Sequence, residues 1–285
     1  MTGRLFIFGV GYCGLQVARL ARAAGWTVAG TCTSADKAAS LRADGIEAHE
    51  FDGSASLPVD ALAATHVLST IAPGTSGDPV LRTCRSLLGR ARWLGYLSTT
   101  GVYGDHHGDW VYETTPPRPN QPRSIERLAT ERAWQVLGLE VGANVDIFRL
   151  PGIYGPGRSA IDQVKAGTAR RVDKPGQIFS RIHVEDVAGT VLMTLSQPHA
   201  GGVFNVADDL PASTADVVAY ACELLGKPTP PLVPWAEAEA GMSEMARSFW
   251  AENRRVRNDR IKNDLGVILR YPTYREGLSA IAAAG

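Results

Sequence analysis

The chain has 285 residues, enough for one large domain or two fused ones, and its 45% hydrophobic content supplies a full core. Its 29 basic and 29 acidic residues cancel, so the formal net charge is zero and a nucleic-acid partner is not expected. No run of apolar residues is long enough for a membrane span, and Met1 to Phe8 reads as a strand without a charged and apolar leader, which predicts a cytoplasmic protein with no membrane partner. Cys13, Cys32, Cys84 and Cys222 lie at neither disulfide-framework nor metal-ligand spacing, so no metal is expected.

Strand-like and helix-like segments alternate over the first 150 residues. Leu5 to Phe8 is a short apolar run that ends at glycine. Leu15 to Ala24 reads as a helix, Thr27 to Thr31 as a strand, Asp36 to Asp44 as a helix and Ile46 to Phe51 as a strand. His66 to Ile71 and Trp93 to Ser98 are the next strands, followed by a helix over Ser124 to Leu137 and a strand over Val145 to Leu150. Strands separated by helical segments of about ten residues predict a parallel sheet with right-handed crossovers, covered by helices on both faces. Beyond Leu150, proline and glycine break the pattern. Residues 1–150 therefore read as a dinucleotide-binding domain, and 151–285 as mainly a smaller substrate-side lobe interleaved with it.

Gly9-Val10-Gly11-Tyr12-Cys13-Gly14 is G-x-G-x-x-G at the first strand-to-helix turn, the context in which this spacing marks a Rossmann-type dinucleotide site. Gly9 allows the tight turn, Gly11 lets a pyrophosphate approach the backbone, and Gly14 lets helix and strand pack closely. The helix N-terminus, at Tyr12 and Cys13, offers free N–H groups to the phosphates. The second strand ends in Thr31-Cys32-Thr33-Ser34, without the acidic residue that bonds the ribose of NAD. Thr33, Ser34 and Lys37 stand where a 2′-phosphate would be held, which tips the reading from NAD toward NADP.

Several further segments carry a family resemblance. Phe51-Asp52-Gly53, Ile71-Ala72-Pro73 and Leu97 to Gly104 follow successive strands. Arg149 to Arg158, Arg181 to Asp186, Phe204 to Asp208 and Tyr271 to Gly277 follow in order. Together they resemble the extended short-chain dehydrogenases/reductases, the NAD-dependent epimerase/dehydratase superfamily, and most nearly its atypical, YeeZ-like branch. The resemblance implies that Asp52 and Gly53 lie at the adenine, Ile71, Ala72 and Pro73 along the adenosine and ribose, and Pro151 and Ile153 beside the nicotinamide. It also implies that Thr99 is the catalytic hydroxyl, with Ser98 beside it.

The resemblance fails at one decisive place. The family's Tyr-x-x-x-Lys pair falls on Arg123 and Arg127, and none of the eight tyrosines has lysine four residues on. Arginine does not titrate near neutrality and cannot serve as a general acid or base there. Arg127 is thus expected to hold the cofactor ribose, and Tyr103 or Tyr154 to face the cleft, Tyr103 as a replacement acid. The arginine that sugar-nucleotide epimerases use for the substrate pyrophosphate is replaced by Phe179, while Arg181 and Arg158 remain as anion contacts beside Tyr154. Two function classes stay open. One is an NAD(P)-binding oxidoreductase or nucleoside-diphosphate-sugar epimerase-like enzyme acting on a small molecule. The other is a catalytically inactive dinucleotide-binding regulator or sensor. Self-association into a homodimer is also left open.

Overall fold

The computed structural model describes residues 3–197 and 199–284. The first half runs β1 (Arg4–Phe8), α1 (Tyr12–Ala23), β2 (Thr27–Cys32), α2 (Ala35–Ala43), β3 (Glu47–Glu50), β4 (His66–Ser69), α3 (Pro79–Thr83) and β5 (Trp93–Thr99). It continues with β6 (Trp110–Val111), α4 (Pro122–Val141) and β7 (Asn144–Leu150). The second half contributes β8 (Gly152–Tyr154), α5 (Ala160–Lys165), β9 (Arg171–Asp173), β10 (Arg181–His183), α6 (Val184–Ser196) and β11 (Gly202–Asn205). After these come α7 (Thr214–Leu224), β12 (Leu232–Pro234), α8 (Trp235–Ala240), α9 (Glu244–Trp250), β13 (Arg255–Val256), α10 (Asp259–Asn263) and α11 (Tyr274–Ala283).

The described residues form a seven-stranded parallel sheet in the order β11-β7-β5-β4-β1-β2-β3, the Rossmann-type α/β arrangement expected. Alternation along β1 divides the core: Leu5 and Ile7 pack with α1, α2 and α6, while Phe6 and Phe8 face Trp134 and Leu137 of α4. The chain leaves β1 toward β2 on one side and returns as β4 on the other. That reversal opens a crevice at the carboxyl ends of β1 and β4, where ligands of open α/β sheets lie.

Two crossovers differ from the helices the sequence pattern predicts. Between β3 and β4 the chain makes only the 3-10 turn Val59–Leu62, and between β4 and β5 it uses the short α3 and the 3-10 turn Arg85–Arg90. Gly53, Pro58, Pro73, Gly74, Gly77 and Pro79 punctuate these stretches and stop longer helices. Helix α4, by contrast, starts with Pro122 in its first turn, where a missing N–H costs nothing, and ends at Gly142 with φ +69°.

The lobe has its own core of α5, α7 and α11, with Ile161, Val218, Tyr274 and Leu278 at its centre. It is tied to the sheet through β8, which follows β7 directly and pairs with β10. Strand β11 comes from the lobe half of the sequence yet forms the edge of the main sheet. Among the described residues, no helix is long and apolar enough to cross a membrane.

Candidate active site

The turn after β1 is built as an open backbone cradle. Gly9 has φ +85°, a conformation that side chains disfavour. Its N–H donates to Thr31 Oγ1 at 2.9 Å, and its carbonyl accepts from Thr70 Oγ1 at 2.6 Å. The two threonines, from β2 and the end of β4, hold the turn across the crevice; neither was singled out from the sequence as its support. A side chain on Gly14 would put its Cβ 2.5 Å from the Gly9 carbonyl, so helix and turn meet backbone to backbone. At Gly11 no described atom lies within 4 Å of where a Cβ would stand. The space over Gly11 is free on the side where the first N–H groups of α1 emerge, which fits a dinucleotide pyrophosphate.

Tyr12 and Cys13 open α1. The Tyr12 hydroxyl donates to Pro156 O at 3.2 Å, and the Arg158 guanidinium lies 5.7 Å from its ring, so the cradle is joined to the loop after β8. Burial pushes the Tyr12 hydroxyl up to about 12, against the pull of Arg158. Burial also pushes the Cys13 thiol up to about 11, so it stays protonated at neutral pH. Further along the crevice, Thr33 is exposed, and Ser34 Oγ caps α2 by accepting from the Lys37 N–H at 3.3 Å. Asp52 is exposed and accepts from the Ser54 N–H at 2.8 Å; the hydrogen bonds from Ser54 hold its carboxyl below the usual range. Gly53 turns with φ +80°, and Ile71, Ala72 and Pro73 follow β4 as a half-exposed rim.

The corner where β5 meets α4 is filled differently. Thr99, half-buried at the strand end, accepts from the Gly101 N–H at 3.1 Å and keeps its own hydroxyl proton. Ser98 does not face the crevice. It is 4% exposed and donates to Glu131 Oε1 at 2.5 Å, because strand alternation turns it toward α4. Glu131 also takes a forked ion pair from Arg149, at 2.7 Å from Nη2 and 3.2 Å from Nε. Tyr103 is likewise withdrawn: it is fully buried, its hydroxyl donates to Asn205 Oδ1 at 2.7 Å, and Arg149 lies 4.8 Å from its ring. Ser98 is thus not placed at the crevice to hold a cofactor, nor Tyr103 to act as a replacement acid, in contrast to both expectations. The Glu131–Arg149 pair was not given a role from the sequence. Its signal was there, in an arginine inside the apolar run Val145 to Leu150 and a glutamate one helix turn beyond Arg127.

Arg127 is half-buried; its Nη1 donates to Leu97 O at 2.7 Å and its guanidinium lies 5.8 Å from the Tyr96 ring. Arg123 is exposed one turn earlier, 4.4 Å from the Phe249 ring of α9.

On the lobe side, Tyr154, Arg158 and Arg181 line one cavity of about 420 Å³, together with Ile153, Thr214 and Tyr274. Tyr154 is buried and its hydroxyl donates to Thr273 O at 3.3 Å; burial raises its pKa strongly, so it serves poorly as an acid. Pro151 and Ile153 are half-buried at the neck between sheet and lobe. No group of three metal-ligating side chains occurs among the described residues.

Residues 75–207 match the NAD dependent epimerase/dehydratase family. A conserved protein of unknown function from Silicibacter pomeroyi DSS is 44% identical, with 99% of each chain covered and a TM-score of 0.90. The chain belongs to the NAD-dependent epimerase/dehydratase family. Protein YeeZ of Escherichia coli K12 is 29% identical over 94% of this chain and 96% of its own. A UDP-glucuronic acid 4-epimerase from Bacillus cereus, solved in complex with NAD, is 17% identical with a TM-score of 0.76 over 98% of this chain and 96% of that one, and so shares the fold.

Within an epimerase/dehydratase frame, the two departures noted in the sequence lie under the same α-helical hairpin. Phe179 packs edge-on against Trp250 with ring centroids 5.1 Å apart, and Arg123 lies against Phe249 of the same helix. Every residue of α8 and α9 is half-buried or exposed, so the hairpin is held by such surface contacts.

Proposed function

We propose that the chain binds a nicotinamide dinucleotide over the Gly9–Gly14 turn. In this reading it acts as an oxidoreductase or epimerase-like enzyme on a small molecule, without a Tyr–Lys proton relay. The free space over Gly11, between the turn at Gly9 and the start of α1, carries this reading. A bound nicotinamide supplies hydride transfer, and the protein supplies position and electrostatics. Residues 1–150 hold the dinucleotide and 151–285 the substrate side. Thr99 offers a hydroxyl proton to a substrate oxygen at the end of β5. Arg127, anchored on Leu97 O, directs its remaining donors at the ribose. Pro151 and Ile153 flank the nicotinamide, and Asp52 and the 71–73 rim the adenosine.

With no carboxylate at the end of β2, NADP binds at least as well as NAD, read by Thr33, Ser34 and Lys37. Sugar nucleotides are the first substrates to try, given what the Bacillus cereus relative's name says it acts on. Calorimetric titration with NAD and NADP tests the core of the proposal: binding of either is expected, and its absence ends it. A preference for NAD of about tenfold, 1.4 kcal/mol, rejects the part assigned to Thr33, Ser34 and Lys37.

A second reading is favoured by the commitment of Ser98 and Tyr103 to the core and by arginine at both relay positions. It is a dinucleotide-binding regulator without turnover. Consumption of NADPH with any substrate, lost in Thr99→Val, removes this second reading.

A further inference from the structure

We propose that the lobe cavity is a binding pocket for a small amphipathic monocarboxylate, whose charged end is held by Arg181 and whose apolar body lies against α7 and α11. Of the reading above it uses only the assignment of the lobe to the substrate side.

The cavity of about 420 Å³ falls within the range of small-molecule sites. Its walls are of two kinds. Val217, Val218, Tyr274 and Leu278 form an apolar side, and Arg181 and Arg158 bring positive charge to the other. Arg181 is fixed before any ligand arrives: its Nη1 donates to Phe179 O at 2.8 Å and to Ala212 O at 2.9 Å. Among the described residues its guanidinium makes no other hydrogen bond, so the Nη2 and Nε edge remains for a forked contact with a planar carboxylate. A guanidinium already held by two carbonyls loses little freedom on binding. Thr214 lines the same cavity, and its buried hydroxyl has no partner among the described residues.

Charge balance selects one negative charge over several. Arg181 and Arg158 supply two positive charges, and Asp162 on the rim removes one. Asp208 is buried near Arg181, and burial raises its carboxyl against the pull of Arg181, which limits how far it neutralises that charge. A diphosphate would need more. The position from which related epimerases hold it is Phe179, which is closed against Trp250.

The test uses the full chain and calorimetric titration with 3-phenylpropionate, octanoate and benzoate. Each is paired with its neutral amide, and UDP-glucose is titrated separately. At least one carboxylate is expected to bind with a Kd of about 1 mM or tighter, and its amide at least tenfold more weakly, about 1.4 kcal/mol. Arg181→Met is expected to abolish the difference between acid and amide. Arg158→Gln, at an exposed position that the fold does not need, is expected to weaken the acid by about threefold, which keeps the test decisive if Arg181→Met fails to fold. The proposal is overturned if no carboxylate saturates by about 10 mM, if acid and amide bind alike, or if both variants bind the acid as the parent does. Binding of UDP-glucose alone, lost in Arg181→Met, overturns it in favour of a diphosphate pocket. NADP is titrated into the same preparations. Its failure to bind, with carboxylate binding intact, counts against the dinucleotide reading and leaves this one standing.

Discussion

The turn after β1 and the corner where β5 meets α4 lie at the carboxyl ends of two strands on either side of β4, yet they are built in opposite ways. The turn is backbone with space above it: Gly9 has a positive φ that side chains disfavour, Gly14 is in contact with Gly9, and Gly11 is open. The corner is packed with side chains that already have partners. Ser98 and Arg149 hold Glu131, Tyr103 holds Asn205, and Arg127 holds Leu97 O. The first leaves backbone open to a ligand, while in the second Ser98 and Tyr103 are tied down and Thr99 keeps a free hydroxyl proton. The difference teaches that an open backbone turn and a packed polar corner can be built from separate residues of one sheet.

The largest expected effect breaks the corner. Arg149→Met leaves the Glu131 carboxylate buried without its ion pair and should destabilise the protein by about 3–5 kcal/mol, read from chemical denaturation. A loss below about 1 kcal/mol would mean that Glu131 is solvated or protonated and that the corner is not rigid.

The turn should respond in the opposite sense. No described atom stands near the place of a Cβ on Gly11, so Gly11→Val should still fold. Its branched side chain would occupy the free space, and dinucleotide affinity should fall by about a hundredfold, roughly 2.7 kcal/mol by titration. Gly14→Ala is the matched control. It should cost stability, on the order of 1–3 kcal/mol, because its Cβ meets the Gly9 carbonyl. Equal behaviour of the two variants would erase the distinction between an open and a packed glycine.

Arg127 is anchored in the corner and, in the function proposed above, also serves the cofactor. Arg127→Ala should weaken dinucleotide binding by about 1–2 kcal/mol, the scale of hydrogen bonds from a charged donor. Any activity should keep the shape of its pH profile, because the guanidinium does not titrate there. Unchanged affinity with reduced stability would assign the residue to the corner alone.

The lobe carries an effect that depends on pH. Burial raises Asp208 from 3.8 to about 8, so the native state binds a proton that the unfolded chain releases. Its contribution is fully present below about pH 4 and is lost as pH rises toward 8. Asp208→Asn should remove this slope in denaturation midpoints taken at several pH values. Parallel curves for parent and variant would show that Asp208 stays ionised in the folded protein.

The sequence by itself determined the sheet, the glycine turn and the loss of the Tyr–Lys pair. These depend on local chemistry: two-residue alternation in strands, the backbone freedom of glycine, and residue identity at a fixed spacing. Leu5 to Phe8 followed by Gly9, Gly11 and Gly14 is legible because its signal lies within ten residues, whereas Thr31 and Thr70, which hold the turn, lie far along the chain. Only the tertiary structure decided where Ser98 and Tyr103 point, since their partners Glu131 and Asn205 are 33 and 102 residues away. The same is true of the lobe cavity, whose walls come from β8, α5, β10, α7 and α11. The edge strand β11 and the short crossovers on either side of β4 also depended on distant packing. Side-chain direction at a strand end is set by whichever neighbour satisfies it, and no spacing along the chain records that neighbour.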